Sequence, residues 1–208
     1  MKKLPGISAA QKKQAAAPAA DPVFTPEFFR PYEAAAHSAL LLISRARNKL
    51  AACDGGGDVC AVTYRLKTPQ SIRGKLQKKG LPPSAAAAGA ALQDIAGLRV
   101  VLSSVDAVYR FAGLLTASSF AQPAGVDDYI ACPKKSGYRS LHVLLDIPVI
   151  LDGEMMMVPA EIQLRTAAMD VWANIEHSVC YKPQHGESPL HSGFASIVPP
   201  EGEVVEAL

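Results

Sequence analysis

Two apolar runs separated by a tight turn place the strongest constraint on how this chain folds. Residues 141–151 and 155–164 are rich in aliphatic residues, and Asp152-Gly153 stands between them. An Asp-Gly pair flanked by such runs predicts a β-hairpin, because both positions of its two-residue turn favour a positive φ. We expect Pro148 to break the first strand, since proline cannot donate to a ladder. The sheet must therefore contain an antiparallel pair.

Helices and further strands alternate before and after this hairpin. The periodicity and the capping residues predict helices over residues 25–52, 68–79, 105–115 and 166–181, strands over 59–66 and 98–102, and a short strand at Tyr129-Ile130. The alanine-rich stretch 84–90 fits a linker or a short helix. A mixed sheet flanked by helices, an α/β fold of the α+β type, suits this order better than a doubly wound parallel sheet. Trp172, Ile175 and Val179 are expected in the core.

Composition predicts one domain with a tail at each end. Residues 1–26 form an expected disordered tail, 27–182 the domain, and 183–208 an irregular tail rich in Pro, Gly and Glu. A net charge of +2 argues against stable nucleic-acid binding and against attraction to an anionic membrane. The sequence contains no apolar run of about 20 residues, and its N-terminal residues are not expected to act as a signal peptide. The four cysteines have no zinc-site spacing, so we expect reduced thiols and a cytoplasmic location.

The end of the first strand and the helix after it are basic and carry no acid. Ser71, Lys75 and Lys78 stand at i, i+4 and i+7, so they share one helix face. Arg65 and Lys67 alternate on the strand and point the same way. Near a helix N-terminus, these groups are suited to surround a polyphosphate. A solvated basic face is the alternative.

Asp94 and Arg99 flank the entrance to the buried strand 98–102. The carboxylate of Asp94 is a hard oxygen ligand of the kind that Mg²⁺ prefers. The planar guanidinium of Arg99 is suited to lie on a purine ring. A helix cap or a surface ion pair is the alternative interpretation.

Two further segments place polar groups together. In the loop before the hairpin, Tyr138 is suited to stack on a base and His142 to bond ribose or phosphate, although packing roles are the alternative. On the second hairpin strand, Glu161, Gln163 and Arg165 alternate with apolar residues and so share one face. If that face lines a cleft, Glu161 is a second metal ligand beside Asp94 or a base for a hydroxyl. Glu176-His177 is expected to be a structural pair.

These segments, in this order and spacing, resemble the synthetase domain of the RelA/SpoT family over roughly residues 28–182. The resemblance rests on Arg65-x-Lys67-x-x-x-Ser71-Ile72-x-x-Lys75-Leu76-x-x-Lys79, Asp94-Ile95-Ala96-Gly97-x-Arg99, Asp128-Tyr129-Ile130-x-x-Pro133-Lys134-x-x-Gly137-Tyr138-Arg139-Ser140-Leu141-His142, Glu161-Ile162-Gln163-x-Arg165-Thr166, and Met169-Asp170-x-Trp172-Ala173-x-x-Glu176-His177-x-x-x-Tyr181-Lys182. Before Asp128 the family carries a charged triplet, where this chain has Gly125-Val126-Asp127.

The resemblance implies a nucleotidyltransferase-like mixed sheet and a stand-alone small alarmone synthetase. Such an enzyme transfers the β,γ-pyrophosphate of ATP to the 3′-hydroxyl of GDP or GTP, with Mg²⁺, or Mn²⁺ in its place, as cofactor. Carried over by position, the resemblance implies an ATP site of Arg65, Lys67, Ser71, Lys75, Lys78 and Arg99, a metal and catalytic site of Asp94 and Glu161, and an acceptor site of Lys134, Tyr138, His142 and Gln163.

Other functions remain open at this stage. A related toxin-like synthetase would modify adenine nucleotides or the tRNA 3′ end, although the low net charge argues against tRNA. An inactive nucleotide sensor would be expected to lack Asp94 or Glu161, and both are present. An RNA-binding module would need a broad basic surface with aromatic residues. Small synthetases of the family assemble through helices after this domain, so for this chain both a homo-oligomer and a monomer stay open.

Overall fold

The computed structural model describes residues 22–54, 58–180 and 195–196. The helices are α1 Pro26–Asp54, α2 Pro69–Lys78, α3 Ala85–Ala91, α4 Val105–Thr116 and α5 Ala167–Cys180. The strands are β1 Val59–Leu66, β2 Ala96–Leu102, β3 Gln122–Asp128, β4 Leu141–Leu151, β5 Glu154–Thr166 and β6 Ala195–Ser196. No helix in these ranges has the length and apolar character needed to cross a bilayer.

The described strands form one mixed sheet in the order β3-β4-β5-β2-β1-β6. Strands β2 and β5 run parallel, whereas the other neighbouring strands run antiparallel. The prediction of a mixed sheet rather than a doubly wound parallel sheet is confirmed. Because β2 is inserted between β5 and β1, strands distant in the sequence lie side by side at the centre.

The predicted hairpin is present with a two-residue turn. Asp152 and Gly153 both have positive φ, at 51° and 85°, as in the type I′ turn that matches the twist of the strands. The prediction that Pro148 breaks the first strand is wrong, because β4 is continuous and Pro148 pairs with Met157. The pairing of β4 with β3 ends at Asp146. Among the described residues, Pro148 therefore lies on a part of β4 that pairs with β5 alone, as an edge strand does, and proline is tolerated there.

The turn gives a matched pair of stability predictions. Gly153→Ala forces a side chain into the positive-φ region, although no atom lies within 4 Å of the added Cβ. We expect it to lower the free energy of unfolding by about 1–2 kcal/mol. Gly113→Ala, in the exposed interior of α4 with equal space around it, is expected to raise that free energy by about 0.5–1 kcal/mol. Urea unfolding of both variants measures this, and equal effects would contradict the conformational cause.

The predicted short strand at Tyr129-Ile130 is wrong. The strand in this region is β3, Gln122–Asp128, and the two predicted residues form the turn after it. Sequence analysis missed β3 because Pro123, Gly125 and the aspartates that end it have low β-propensity. They are tolerated because β3 is an edge strand that pairs with β4 alone among the described residues.

Capping residues fix the helices that precede the site. The hydroxyl of Thr68 accepts a hydrogen bond from the Ser71 N–H at 3.3 Å, and Pro69 occupies the first turn, which starts α2 where the sequence predicted. Ser84 caps α3 in the same way. The ambiguous stretch 84–90 is therefore a short helix. Within α3, Ala88 is the buried residue.

Helices α1 and α4 cover one face of the sheet. Ala35, Ala36 and Ala39 of α1 are fully buried, and such small side chains let the helix backbone approach the strands closely. On the sheet the core consists of aliphatic residues such as Val143 and Ile162, both fully buried. The alanine content of the sequence thus reflects close helix–sheet packing.

The expectation that Trp172 and Ile175 lie in the core is wrong. They are 48% and 50% exposed, respectively, and the side chain of Val179 lies outside the described residues. Helix α5 contacts β5 and β2 through Met169 and Ala173, which stand four residues apart and are at least partly buried. The periodicity showed an apolar helix but not which of its faces would meet the sheet.

The tails are described only in part. Ala195–Ser196 forms the two-residue strand β6, which pairs with β1 at Thr63 and Tyr64. The remainder of the predicted tails, 1–21, 181–194 and 197–208, lies outside the described residues, as do Gly55-Gly56-Gly57, predicted to end the first helix, and the side chains of the predicted pair Glu176-His177.

Candidate active site

The strand register places the predicted site residues on the sheet face opposite α1 and α4. Arg65 of β1 pairs with Gly97 of β2, and Gly97 pairs with Glu161 of β5. Two residues along, Arg99 pairs with Gln163. Directly paired residues point to the same face of a sheet. Side chains from separate parts of the sequence therefore converge there.

Asp94 lies just before β2 between two lysines. Its Oδ2 accepts hydrogen bonds from Lys67 Nζ at 2.7 Å and Lys75 Nζ at 2.8 Å. Burial alone raises the pKa of Asp94, but the hydrogen bonds and charges of Lys67 and Lys75 outweigh it and bring the pKa below its usual range. Asp94 is thus an ionised carboxylate between two cations, and the cluster of Asp94, Lys67 and Lys75 carries a net positive charge.

The second oxygen of Asp94 is suited to a cation. Oδ1 is buried, and no described residue donates a hydrogen bond to it. A buried acceptor without a partner costs free energy, about 1–3 kcal/mol. It is also a hard oxygen ligand with a lone pair that no described residue uses, so Asp94 fits Mg²⁺. The described residues contain no group of three or more His, Cys, Asp or Glu side chains placed to hold a metal, so ligands beyond Asp94 and Glu161 would be waters or phosphates.

Five side chains form a closed ring of contacts beside Asp94. Glu161 Oε2 lies 3.3 Å from His142 Nδ1, and His142 Nε2 lies 2.8 Å from the Tyr138 hydroxyl. Arg165 Nη2 donates to the Tyr138 hydroxyl at 2.6 Å and to Gln163 Oε1 at 2.8 Å. Gln163 Nε2 donates back to Glu161 Oε1 at 2.5 Å. Each member contacts two others, so a change in the position of one side chain affects its neighbours in the ring.

Glu161 is the anionic member of this ring. Burial raises its pKa, but the hydrogen bond and charge of His142 and the hydrogen bond from Gln163 outweigh burial, so the pKa lies below its usual range. The negative charge of Asp94 raises the pKa of Glu161, but it is the smallest of these effects. Each Glu161 oxygen retains a lone pair beyond the bond it makes. Glu161 is therefore suited to receive a proton or to share a cation with Asp94.

The aromatic side of the site is held by a tight turn. Gly137 has φ 83°, and its N–H donates to the Lys134 carbonyl at 2.8 Å. Lys134 Nζ lies 4.8 Å from the centroid of the Tyr138 ring and 4.3 Å from that of Tyr129. These are cation–π distances. The two rings and the lysine form a surface suited to a planar, polar ligand.

Asp170 of α5 joins an arginine of β2 to an arginine of β5. Its Oδ1 lies 3.0 Å from Arg99 Nη1 and 3.2 Å from Arg165 Nη1. Sequence analysis gave neither Asp170 nor Arg165 a role. The alternation of Arg165 with Glu161 and Gln163 was the available signal. The meeting of two arginines at one carboxylate depends on β2 and β5 being neighbours, which local patterns do not show.

The remaining predicted site residues are exposed at the periphery of the site. Arg65 is exposed beside Gly97. Ser71 is exposed, with its hydroxyl 2.9 Å from that of Thr68. Lys78 is exposed on the last turn of α2. The structure thus brings Lys67, Lys75 and Asp94 into one cluster, and Tyr138, His142, Glu161 and Gln163 into another.

A profile described as a region found in RelA/SpoT proteins matches residues 64–186, which contain both clusters. The chain belongs to the RelA/SpoT family. This confirms the resemblance drawn from the sequence. The match covers more than half of the chain and begins within β1.

Individual relatives agree with this assignment. The chain is 40% identical over 118 residues to GTP pyrophosphokinase YwaC of Bacillus subtilis, a match that covers 57% of this chain and 56% of YwaC. It is 35% identical over 155 residues to GTP pyrophosphokinase YjbM of the same organism, covering 74% of this chain and 72% of YjbM. The chain thus spans about half of the first relative and about seven-tenths of the second.

A solved structure shares the fold. The crystal structure of small alarmone synthetase 1 from Bacillus subtilis, bound to its product pppGpp, superposes with a TM-score of 0.67 at 34% identity. The match covers 74% of this chain and 77% of that one. The mixed sheet and helices of this chain therefore have the same fold as that Bacillus subtilis synthetase.

Proposed function

We propose that this chain is a GTP pyrophosphokinase that transfers the β,γ-pyrophosphate of ATP to the 3′-hydroxyl of GDP or GTP. The products are AMP and ppGpp or pppGpp. The observation that carries the proposal is the presence of two ionised carboxylates, Asp94 held by two lysines just before β2 and Glu161 on β5 in the ring that contains Tyr138. The names of YwaC and YjbM, and the product bound to the similar structure, support the same reaction.

The donor nucleotide is assigned to the basic half of the site. Lys67 and Lys75 supply two positive charges against the single charge of Asp94, which favours a polyphosphate. Ser71 and Lys78, on the same helix, extend this surface. Arg65 and Arg99 are assigned to opposite faces of adenine, since guanidinium planes stack on aromatic rings.

The acceptor nucleotide is assigned to the aromatic half. Tyr138 provides a ring on which guanine stacks, and Lys134 and Gln163 offer polar contacts to the base edge. His142, fixed between Tyr138 and Glu161, is placed to bond the ribose or its phosphates. This arrangement directs the ribose hydroxyls toward Glu161.

In the proposed reaction Glu161 removes the proton of the 3′-hydroxyl. The oxygen attacks the β-phosphorus of ATP, the bond from that phosphorus to the α,β-bridging oxygen breaks, and AMP leaves with the electron pair. Lys67 and Lys75 hold the phosphates in line with the attack, because positioning and charge neutralisation supply most of the rate enhancement in such transfers. Mg²⁺ or Mn²⁺ bound by Asp94 and Glu161 would add further neutralisation of the phosphate charge.

We place the reaction in the cytoplasm. Cys60 and Cys132 are free thiols, as expected of a reducing compartment. ATP and GDP or GTP are the proposed partners.

Transfer of label tests the proposal directly. Purified protein is incubated with γ-³²P-ATP and Mg²⁺, and separately with GDP, GTP, GMP, an adenine nucleotide or tRNA. Label in a 3′-pyrophosphorylated guanine nucleotide, absent from an Asp94→Ala/Glu161→Gln double variant, is the expected result. Label in an adenine nucleotide or tRNA would assign a toxin-like acceptor. ATP binding without transfer to any acceptor would overturn the enzymatic function and leave a nucleotide sensor.

A further inference from the structure

Asp170 contacts one arginine from each half of the site. Its Oδ1 receives Arg99 Nη1 and Arg165 Nη1, while Oδ2 lies 3.4 Å from Asn174 Nδ2 on the same helix. The Asp170 side chain is 21% exposed and the Arg165 side chain 4% exposed. Removing this carboxylate would leave two guanidinium groups facing each other with reduced screening from water.

The two arginines differ in what they hold. Arg165 is fixed by further contacts from its other two nitrogens, since Nε donates to Ser140 Oγ at 3.3 Å and Nη2 donates to Tyr138 and Gln163. Its guanidinium also lies 5.1 Å from the Tyr138 ring centroid. Arg165 therefore sets the position of the acceptor-side ring. Arg99, on β2, belongs to the donor side.

Electrostatics link the pair. Burial is the main reason that the pKa of Arg99 lies below its usual range, and the charge of Arg165 lowers it further while Asp170 opposes both. A purine stacked on Arg99 restrains that side chain. Because Asp170 Oδ1 contacts both Arg99 and Arg165, the restraint extends to Asp170 and then to Arg165. The second nucleotide then meets a Tyr138 that is already ordered, and so it loses less conformational entropy on binding.

We propose that Asp170 is a positioning residue shared by the two nucleotide sites, and that it couples them so that a bound adenine nucleotide tightens the binding of the guanine nucleotide. The inference rests on the proposed function for the identity of the two ligands. Asp170 itself touches neither ligand. Coupling is reciprocal, so GDP tightens the ATP analogue by the same factor.

Calorimetric titration tests the proposal. GDP affinity is measured with and without saturating α,β-methylene-ATP, whose bridging carbon blocks transfer. The dissociation constant without the analogue is divided by that with it, and this ratio is compared between proteins. For the wild type we expect a ratio of about 5 or more. Asp170→Asn should bring the ratio toward 1, a decrease of at least about 2-fold. Asp170→Glu, which keeps the charge one methylene further out, should give an intermediate ratio.

Asp152→Asn is the matched control. Asp152 also pairs with an arginine, Arg30, but it lies at the hairpin turn, at the far end of β5 from Arg165. This variant should keep the wild-type ratio. The inference would be overturned if Asp170→Asn unfolds at the wild-type temperature, binds both nucleotides and shows the wild-type ratio of GDP dissociation constants.

Two further outcomes separate the inference from the function. If Asp170→Asn does not fold, Asp170→Glu decides, and a wild-type ratio in that variant overturns the coupling. If the wild type binds neither nucleotide, the proposed function fails first. If the wild type binds both and transfers pyrophosphate while Asp170→Asn leaves the ratio unchanged, only the coupling through Asp170 fails.

Discussion

Replacing Glu161 by Gln is expected to lower the kcat of pyrophosphate transfer by about 10²- to 10⁴-fold, the contribution typical of a general base. The amide cannot accept the proton of the 3′-hydroxyl, although it retains the size of the carboxylate. It can still accept a hydrogen bond from His142 or Gln163. The KM for both nucleotides should therefore change far less than kcat.

Glu154→Gln is the matched control for this variant. Glu154 stands at the exposed start of the same strand, β5, and the control should keep wild-type kcat and KM. Steady-state transfer of labelled phosphate measures all three proteins. A Glu161→Gln enzyme with more than a tenth of the wild-type kcat would exclude Glu161 as the base.

Asp94→Asn is expected to reduce kcat/KM by about 10²- to 10³-fold, in line with the loss of one preorganised electrostatic contact. The amide leaves Lys67 and Lys75 without the charge that now lies 2.7 and 2.8 Å from them. It also replaces the buried Oδ1 that we assign to the cation. A titration of activity against Mg²⁺ should accordingly require higher concentrations. Asp106→Asn, an exposed residue paired with Arg110, should leave the Mg²⁺ titration unchanged.

The pH dependence of stability gives Asp94 a second readout. Its pKa is lower in the folded chain, so its contribution to stability is present above the unfolded pKa and is lost as pH falls through the folded value. The loss therefore occurs below about pH 4. Between pH 5 and 3 the melting temperature of Asp94→Asn should fall less steeply than that of the wild type. Parallel curves would show that Asp94 is not the group responsible.

Local chemistry explains which parts of the fold were predictable. The hairpin followed from Asp152-Gly153, and the start of α2 followed from Thr68-Pro69, because a few adjacent residues determine each of these features. Strand β3 was missed because its sequence is poor in strand-forming residues and its pairing with β4 is what orders it. The break at Pro148 was wrong for the same reason, since its tolerance depends on where β3 ends.

The candidate site divides in a similar way. Strand alternation predicted that Glu161, Gln163 and Arg165 share a face, and the structure places all three in one ring. The contact of Arg99 with Asp170 depends on the position of α5 relative to β2. That position is set by tertiary packing, so no pattern within a few residues of Asp170 could indicate it.

The turn at Gly137 provides an optical reporter. The only tryptophan of the chain, Trp172, is half-exposed, and a Cβ built on Gly137 would lie 3.5 Å from its indole ring. Gly137 immediately precedes Tyr138, so a movement of this turn changes the solvent around the indole. The emission maximum of the unlabelled protein therefore follows the acceptor loop, and stopped-flow fluorescence can time its response to each nucleotide.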